Sequence, residues 1–182
     1  DGYWKDHALM NRARVYDSFV SYPLLLTWKA TKDERYRDHA IRNLEWIVRK
    51  KQKSNGWFED CDNTIKHNER PILHTIAYTI EGLLDSGLLL DNKEFIEAAD
   101  FSAGKLEEIY KKQGFLHGRY NEDWKGTEHP ILTGMAQISN VWFKLHNNGI
   151  YGTYYESASK IINQLLWLQD KTRKKENTHG AI

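Results

Sequence analysis

The chain has 182 residues, of which 40% are hydrophobic and 28% charged, a balance typical of one folded globular domain. Its 26 basic and 25 acidic residues nearly cancel, so no global field favours nucleic acid or an anionic membrane. No apolar run approaches the roughly 18 residues of a membrane span, and the single cysteine, Cys61, excludes an intrachain disulfide framework. We therefore expect a soluble, cytoplasmic protein with no nucleic-acid or membrane partner.

Short sequence blocks recur at a nearly constant interval along the chain. An aromatic residue recurs at Tyr36, Phe95 and Tyr155, which are almost evenly spaced. Pro71-Ile72-Leu73 recurs as Pro130-Ile131-Leu132, with the same offset that separates Tyr36 from Phe95. Self-similarity at a fixed period is typical of an array of supersecondary units. The sequence therefore predicts three repeats.

Within each repeat the hydrophobic period is helical. It predicts six helices, at residues 12–31, 33–51, 71–90, 92–112, 130–147 and 152–170. Consecutive helices pair into three hairpins, at about 12–51, 71–112 and 130–170, within one domain that spans residues 1–182. Pro71 and Pro130 suit the first turn of a helix, where their missing N–H would have no partner in any case. Pro23 lies inside the first predicted helix and is expected to kink or split it.

The links between predicted helices alternate in length. Links inside a hairpin are short, whereas residues 52–70 and 113–129 form long connections between hairpins. Long loops are uncommon in compact domains and tend to carry function. Each one leaves the end of a second helix and enters the start of the next first helix, so side-by-side hairpins would place both loops on one rim. That rim is the candidate site.

A polar stripe follows the third predicted helix. His74, Tyr78 and Glu81 are spaced at i, i+4 and i+7 and therefore share one face, opposite an apolar face. The corresponding positions of the next repeat are also polar: Thr133, Gln137 and Asn140. A stripe repeated on successive first helices fits a water-filled central cavity. It equally fits solvated positions or a buried hydrogen-bonding network.

Both long loops combine aromatic residues with carboxylates and a cation, the mixture that a sugar site needs, although loop polarity alone also explains most of these residues. A carboxylate pair can supply a general acid and a general base. We take Asp60 and Asp123 as the acid/base candidates, with His74 and Tyr78 assisting from the cavity wall. The candidates for substrate contact are Trp57, Trp124, Arg119, Arg70, Gln137 and Glu81.

The rim also favours an anionic ligand, since helix N-termini that meet there present unpaired N–H groups. Arg70 and Arg119 lie nearby in sequence, which indicates an acidic or phosphorylated substrate. Cys61 and His74, with neighbouring acidic residues, are a secondary alternative as zinc ligands, but no recognised pair spacing is present. We therefore expect no metal and no other cofactor.

The repeated unit resembles those of the α/α-toroid superfamilies. It consists of a turn like Asp33-Glu34-Arg35-Tyr36, a long second helix, a glutamine, and then Gly56-Trp57-Phe58 or Gly114-Phe115-Leu116. These superfamilies include six-hairpin glycosidases and the terpenoid cyclase and prenyltransferase group, and the nearest resemblance is to squalene-cyclase-like repeat proteins linked to polysaccharide metabolism. The resemblance implies an all-α fold of tandem helical hairpins that forms an arc of an α/α toroid. Complete toroids have more than three hairpins, so an incomplete ring is expected.

The resemblance leaves several functions open. The leading hypothesis is an enzyme of carbohydrate metabolism that binds or cleaves an acidic saccharide in a rim cleft by carboxylate acid/base chemistry. One alternative is an isoprenoid-handling toroid, although the sequence lacks the DxDD acid of squalene-type cyclases and offers only Glu59-x-Cys61 with His74 in place of the prenyltransferase zinc ligands. Another is a non-catalytic helical-repeat interaction module. Expected partners are a saccharide or another small molecule, and the remaining hairpins of a larger toroid or an oligomeric partner, since Gly180-Ala181-Ile182 resembles the opening of another unit.

Overall fold

The computed structural model describes residues 13–127, 129–150 and 153–169. Within these ranges it contains six α-helices: α1 (Ser18–Thr31), α2 (Glu34–Trp46), α3 (Leu73–Leu90), α4 (Lys93–Gln113), α5 (Leu132–Asn147) and α6 (Tyr154–Leu168). The predicted all-α architecture of tandem hairpins is confirmed. The expected opening of another unit at Gly180–Ile182 lies outside the described residues.

Short helical turns and two strands complete the described chain. Single turns cover Val15–Asp17 and Ile65–His67, and a wider turn, Ile47–Lys51, extends α2. In the second long loop, β1 (Arg119–Tyr120) pairs antiparallel with β2 (Gly126–Thr127). These small elements lie in or beside the inter-hairpin loops, where the candidate site residues are concentrated.

The first helices of the hairpins form one layer and the second helices form another. α1 contacts α3, α3 contacts α5, and each of them packs against the helix that follows it in sequence. The second helices touch one another only sparsely. Because the first-helix layer is the more closely packed, the array curves around it, so α1, α3 and α5 form the inner layer.

Two glycines allow the inner helices to approach closely. A Cβ atom built on Gly82 of α3 would lie 2.4 Å from the carbonyl carbon of Ser18 in α1. A Cβ on Gly134 of α5 would lie 2.9 Å from Cγ of Leu73 in α3. The hydroxyl of Ser18 also donates a hydrogen bond of 3.1 Å to the carbonyl of Thr79. Glycine is needed at both crossings because backbone or side-chain atoms of the neighbour already fill the space of a methyl group.

The core lies between the two layers and matches the predicted apolar face of the third helix. Leu73, Ile80 and Leu84 are completely buried, and Ile76 is 1% exposed. Trp142 of α5 is also fully buried, and its indole N–H donates to the carbonyl of Ala103 at 3.1 Å. Complete burial of each such side chain stabilises the fold by about 1.5–3 kcal/mol, so this core holds the layers together.

The turn between the two helices of a hairpin repeats in detail. Lys32 and Asp91 follow α1 and α3 with left-handed φ angles of 61° and 52°, and each ends its helix. The next residues, Asp33 and Asn92, cap the following helices by accepting hydrogen bonds from backbone N–H groups, as Asx side chains do at helix N-termini. Local chemistry therefore sets both short links.

Helix α1 runs without a break through Pro23, so the predicted split is wrong, while the kink that was the other expected effect of this proline stays a prediction. The proline is the sixth residue of the helix and lacks the N–H that would bond the carbonyl of Phe19. The hydroxyl of Thr27 donates to the Pro23 carbonyl at 2.9 Å. One missing hydrogen bond near the beginning of the helix is offset by the packing of α1 against α2 and α3.

Candidate functional site

The two long loops are joined at the N-terminal end of α3. The backbone N–H of Leu73 donates to the carbonyl of Gly118 at 2.8 Å, and that of Tyr120 donates to the carbonyl of Pro71 at 3.2 Å. Farther along, the side-chain amide of Asn55 donates to the Glu122 carbonyl at 2.7 Å. The loops therefore form one connected rim.

A completely buried carboxylate stabilises this rim. Both oxygens of Asp62 accept hydrogen bonds: Oδ1 from the N–H and hydroxyl of Thr64, and Oδ2 from the N–H of Ile72 at 2.9 Å and from Nη1 of Arg119 at 2.7 Å. Nη1 also donates to the carbonyl of Arg70 at 2.9 Å. Asp62 is therefore one anion that Arg119 contacts in this structure, while a contact between Arg119 and substrate stays a prediction.

Asp60 and Asp123 occupy different environments. Oδ2 of Asp60 lies 2.7 Å from Nζ of Lys51, and Oδ1 accepts a hydrogen bond of 2.7 Å from the amide of Asn68. Asp123 is exposed in the second loop, and its side chain makes no hydrogen bond or ion pair with the described residues. Only Asp123 of these two has a carboxylate open to solvent without a protein partner in the described chain.

The two predicted tryptophan platforms also differ. Trp57 is 4% exposed, and its indole N–H donates to the carbonyl of Tyr120 at 3.2 Å. Trp124 is half-buried, with its ring centroid 5.8 Å from that of Tyr120, and its indole N–H donates to the carbonyl of Asn55 at 3.0 Å. Both rings buttress the loops, and Trp124 retains the more accessible surface.

The predicted polar stripe joins α3 to α5 at the rim end of the inner layer. Nδ1 of His74 lies 2.6 Å from Oε1 of Gln137. The His74 ring packs against Tyr78, with centroids 4.4 Å apart, and Tyr78 in turn contacts Phe19 of α1 at 4.6 Å. All three inner helices thus contribute to one row of half-buried or exposed side chains.

Farther from the rim, one lysine holds two carboxylates. Oε1 of Glu81 accepts hydrogen bonds from the amide of Asn140 at 2.9 Å and from Nζ of Lys144 at 2.8 Å. The same Nζ lies 2.9 and 2.7 Å from the two oxygens of Asp85. Burial raises the pKa of Asp85 above its ordinary value, and the hydrogen bond and charge of Lys144 oppose that rise.

No protein-family model matches this chain, and no curated protein matches it in sequence. Solved structures are similar, however. A glycosyl hydrolase family 88 protein from Bacteroides vulgatus superposes with a TM-score of 0.70 and 15% identity, over 89% of this chain and 51% of that protein.

Two further structures have the same fold. An unsaturated glucuronyl hydrolase from Bacillus sp. GL1, named as responsible for glycosaminoglycan degradation, gives a TM-score of 0.69 at 13% identity, over 86% of this chain and 47% of its own. A cellobiose 2-epimerase from Spirochaeta thermophila gives a TM-score of 0.65 at 14% identity, over 82% of this chain and 41% of its own. The fold is that of the α/α toroids. At this level of identity the likeness shows the fold alone, and the chain spans about half the length of these structures.

Within this α/α-toroid arc, sequence reasoning missed Asp85 and Lys144. Asp85 continues the stripe of α3 one turn beyond Glu81. Lys144 follows Asp85 at the same offset that relates Asn140 to Glu81. Extending the stripe by one more turn would have found both residues.

In the toroid arc Cys61 is buried in the core, and its Sγ lies 3.5 Å from Oγ1 of Thr79. Burial raises the pKa of its thiol to about 12. No group of three or more His, Cys, Asp or Glu side chains is placed to hold a metal ion in the part of the chain that is described. Nor, in that part, is any helix long and apolar enough to cross a membrane.

Proposed function

We propose that this chain is part of a carbohydrate-active toroid protein that binds an acidic saccharide between the rim loops and the inner helices. The observation that carries the proposal is the row formed by His74, Gln137 and Tyr78 at the rim end of the inner layer, where polar and aromatic groups from adjacent repeats meet. Hydrogen-bonding groups beside aromatic faces suit the hydroxyl-rich and C–H-rich surfaces of a sugar ring. The similar structures are named as carbohydrate enzymes, which supports the same proposal.

The preference for an acidic saccharide rests on the charges and helix ends at the rim. Arg70 has an exposed side chain, and among the described residues the second loop contacts Arg70 through its backbone carbonyl, which accepts a hydrogen bond from Arg119. α5 begins at the rim without a side-chain cap, whereas the first N–H groups at the start of α3 already donate to Asp62 and to the carbonyl of Gly118. A helix N-terminus favours negative charge, and a guanidinium binds a carboxylate in a bidentate manner. We assign Arg70 to the carboxylate of the ligand.

For catalysis we propose Asp123 as the leading carboxylate. It is exposed, and it lies next to Trp124, whose ring is half-buried. Asp60 is the second carboxylate of the proposal, and its ion pair with Lys51 would have to rearrange before it could contact a ligand directly. His74 and Tyr78 complete the set from the inner helices.

The isoprenoid alternative fits less well. Such a site requires an inner surface lined mainly by aromatic and aliphatic side chains. The inner helices instead carry Gln137, Asn140 and Lys144 in hydrogen-bonded pairs with residues of α3.

The interaction-module alternative predicts no selective binding of a small sugar, so a binding experiment separates it from the proposal.

The proposal is tested with a matched pair of disaccharides, cellobiouronic acid and cellobiose, which differ by a carboxylate in place of a hydroxymethyl group. Binding is followed by NMR chemical-shift changes in the protein. We expect the acid to bind at least about tenfold more tightly, and Arg70→Met to abolish most of that preference. Lys66→Met, which removes another exposed cation of the same loop, is the control. Equal binding of both sugars, or no binding of either, would refute the acidic-saccharide proposal.

A further inference from the structure

The hydrogen bond between His74 and Gln137 connects residues that are 63 positions apart in sequence, and the two heteroatoms lie 2.6 Å apart. A carboxamide oxygen can only accept a hydrogen bond. The flipped amide, with its nitrogen toward the ring, would instead require an unprotonated Nδ1. In the orientation of this structure Oε1 of Gln137 faces Nδ1, so a neutral His74 ring carries its proton on Nδ1. The lone pair of the ring is then on Nε2.

Gly134 explains why Gln137 reaches this histidine. It lies about one turn before Gln137 on α5, and a Cβ atom there would lie 3.0 Å from the backbone nitrogen of His74 and 2.9 Å from Cγ of Leu73. The backbone of α5 therefore rests directly on the first turn of α3. This close crossing sets the register in which the amide meets the imidazole.

The opposite side of the ring is also held. His74 packs against Tyr78 with an interplanar angle of 59°, and Tyr78 contacts Phe19 of α1. The histidine is only half-buried, and Nε2 makes no hydrogen bond with any residue in the described ranges. The His74 ring is therefore held through Nδ1 by Gln137 and on one face by Tyr78, while Nε2 has no partner among the described residues.

We infer that Gln137 is a positioning residue that holds His74 in the Nδ1–H tautomer, so that Nε2 accepts a hydrogen bond from a hydroxyl of the ligand. The part of the inference that concerns the ligand rests on the proposed saccharide function. The part that concerns the tautomer rests only on the contact between α3 and α5. Gln137 therefore acts on the ligand only through His74.

The tautomer is measured by long-range nitrogen–proton correlation NMR at a pH where the histidine is neutral, with His74→Phe used to assign the ring signals. We expect the Nδ1–H form in the wild-type chain. Gln137→Met removes the acceptor and should shift the ring toward the Nε2–H form, whereas Gln137→Glu retains an acceptor and should restore the Nδ1–H form. Gln164→Met, at a hydrogen-bonded glutamine of α6, should leave the His74 signals unchanged.

Binding of cellobiouronic acid provides the second readout. Loss of a well-placed acceptor should weaken binding about tenfold in Gln137→Met. A wild-type Nε2–H ring, or a tautomer insensitive to Gln137→Met, would overturn the inference even if the sugar binds. The expected tautomers with no sugar binding would instead refute the proposed function and leave the positioning role intact.

Discussion

Nη1 of Arg119 lies 2.7 Å from Oδ2 of the completely buried Asp62 and thereby joins the two inter-hairpin loops at the rim. The pair links residues 57 positions apart in sequence and lies beside the backbone junction of these loops. Arg119, which the sequence predicted to bind the ligand, therefore stabilises the scaffold of the candidate site in this structure.

Removal of this cation should destabilise the protein strongly. In Arg119→Met the carboxylate of Asp62 stays buried without its charged partner, which typically costs about 3–5 kcal/mol. The free energy of unfolding, measured by urea denaturation, should fall by an amount in that range. Arg70→Met is the control, because that side chain is exposed, and it should change stability by less than about 0.5 kcal/mol. Similar stability of the two variants would show that the Arg119 pair does not hold the loops together.

Substitution of Lys144 should give a pH-dependent loss of stability. At neutral pH, Lys144→Met leaves Glu81 and Asp85 close together without their shared cation, and we expect a cost of about 1–2 kcal/mol, discounted because Lys144 is partly exposed. Lys105→Met is a matched control, since its pair with Glu108 is a solvent-exposed contact within α4 and should contribute about 0–0.5 kcal/mol.

The sign of the pH effect follows from Asp85. Burial already raises its folded-state pKa, and loss of Lys144 should raise it further. The folded state then binds the proton more tightly than the unfolded state, so stability is gained as pH falls through the folded-state pKa and lost as pH rises. The cost of Lys144→Met should therefore be smaller near pH 4 than near pH 7 in parallel urea titrations, about half as large or less. An equal cost at both values would contradict this assignment.

Gly82→Ala should disrupt the crossing of α1 and α3. The added Cβ would lie 2.4 to 2.6 Å from backbone atoms of Ser18 and Phe19, which cannot rotate away. We expect a loss of about 3 kcal/mol or more in the free energy of unfolding. At Gly104 of α4 the one close atom from the described residues is the hydroxyl oxygen of Tyr154, at 3.3 Å, so the free energy of unfolding of Gly104→Ala should be within about 1 kcal/mol of the wild-type value. Thermal melting of both variants checks the contrast.

The catalytic proposal predicts different consequences for the two rim carboxylates. Asp123→Asn should lower kcat at least about 100-fold on an identified substrate without changing stability, because this side chain has no partner among the described residues. Asp60→Asn should lower turnover and also reduce stability, since it removes the charge paired with Lys51. Glu122→Gln, at the exposed residue before Asp123, is the control. If both aspartate variants retain full turnover, neither residue is the acid or the base.

Much of the fold could be predicted because its signals are local or periodic. The regular offset between repeats and the helical hydrophobic pattern predicted three hairpins, short links within them and a polar stripe on successive first helices. The left-handed residues Lys32 and Asp91 show how the same local turn chemistry recurs in two repeats. Pro23 was the exception, since tertiary packing maintains a helix that local preference would break.

The partners of the polar side chains were decided only by the tertiary structure. Composition alone could not show that Arg119 binds Asp62, that Trp57 is buried beneath Tyr120, or that Lys144 holds Glu81 and Asp85. These contacts join residues far apart in sequence and exist only because adjacent repeats pack in one register. The sequence by itself determined the helices and the stripe through local and periodic preferences. The packing distance between neighbouring helices, set by Gly82 and Gly134, determined which polar groups meet and which remain exposed.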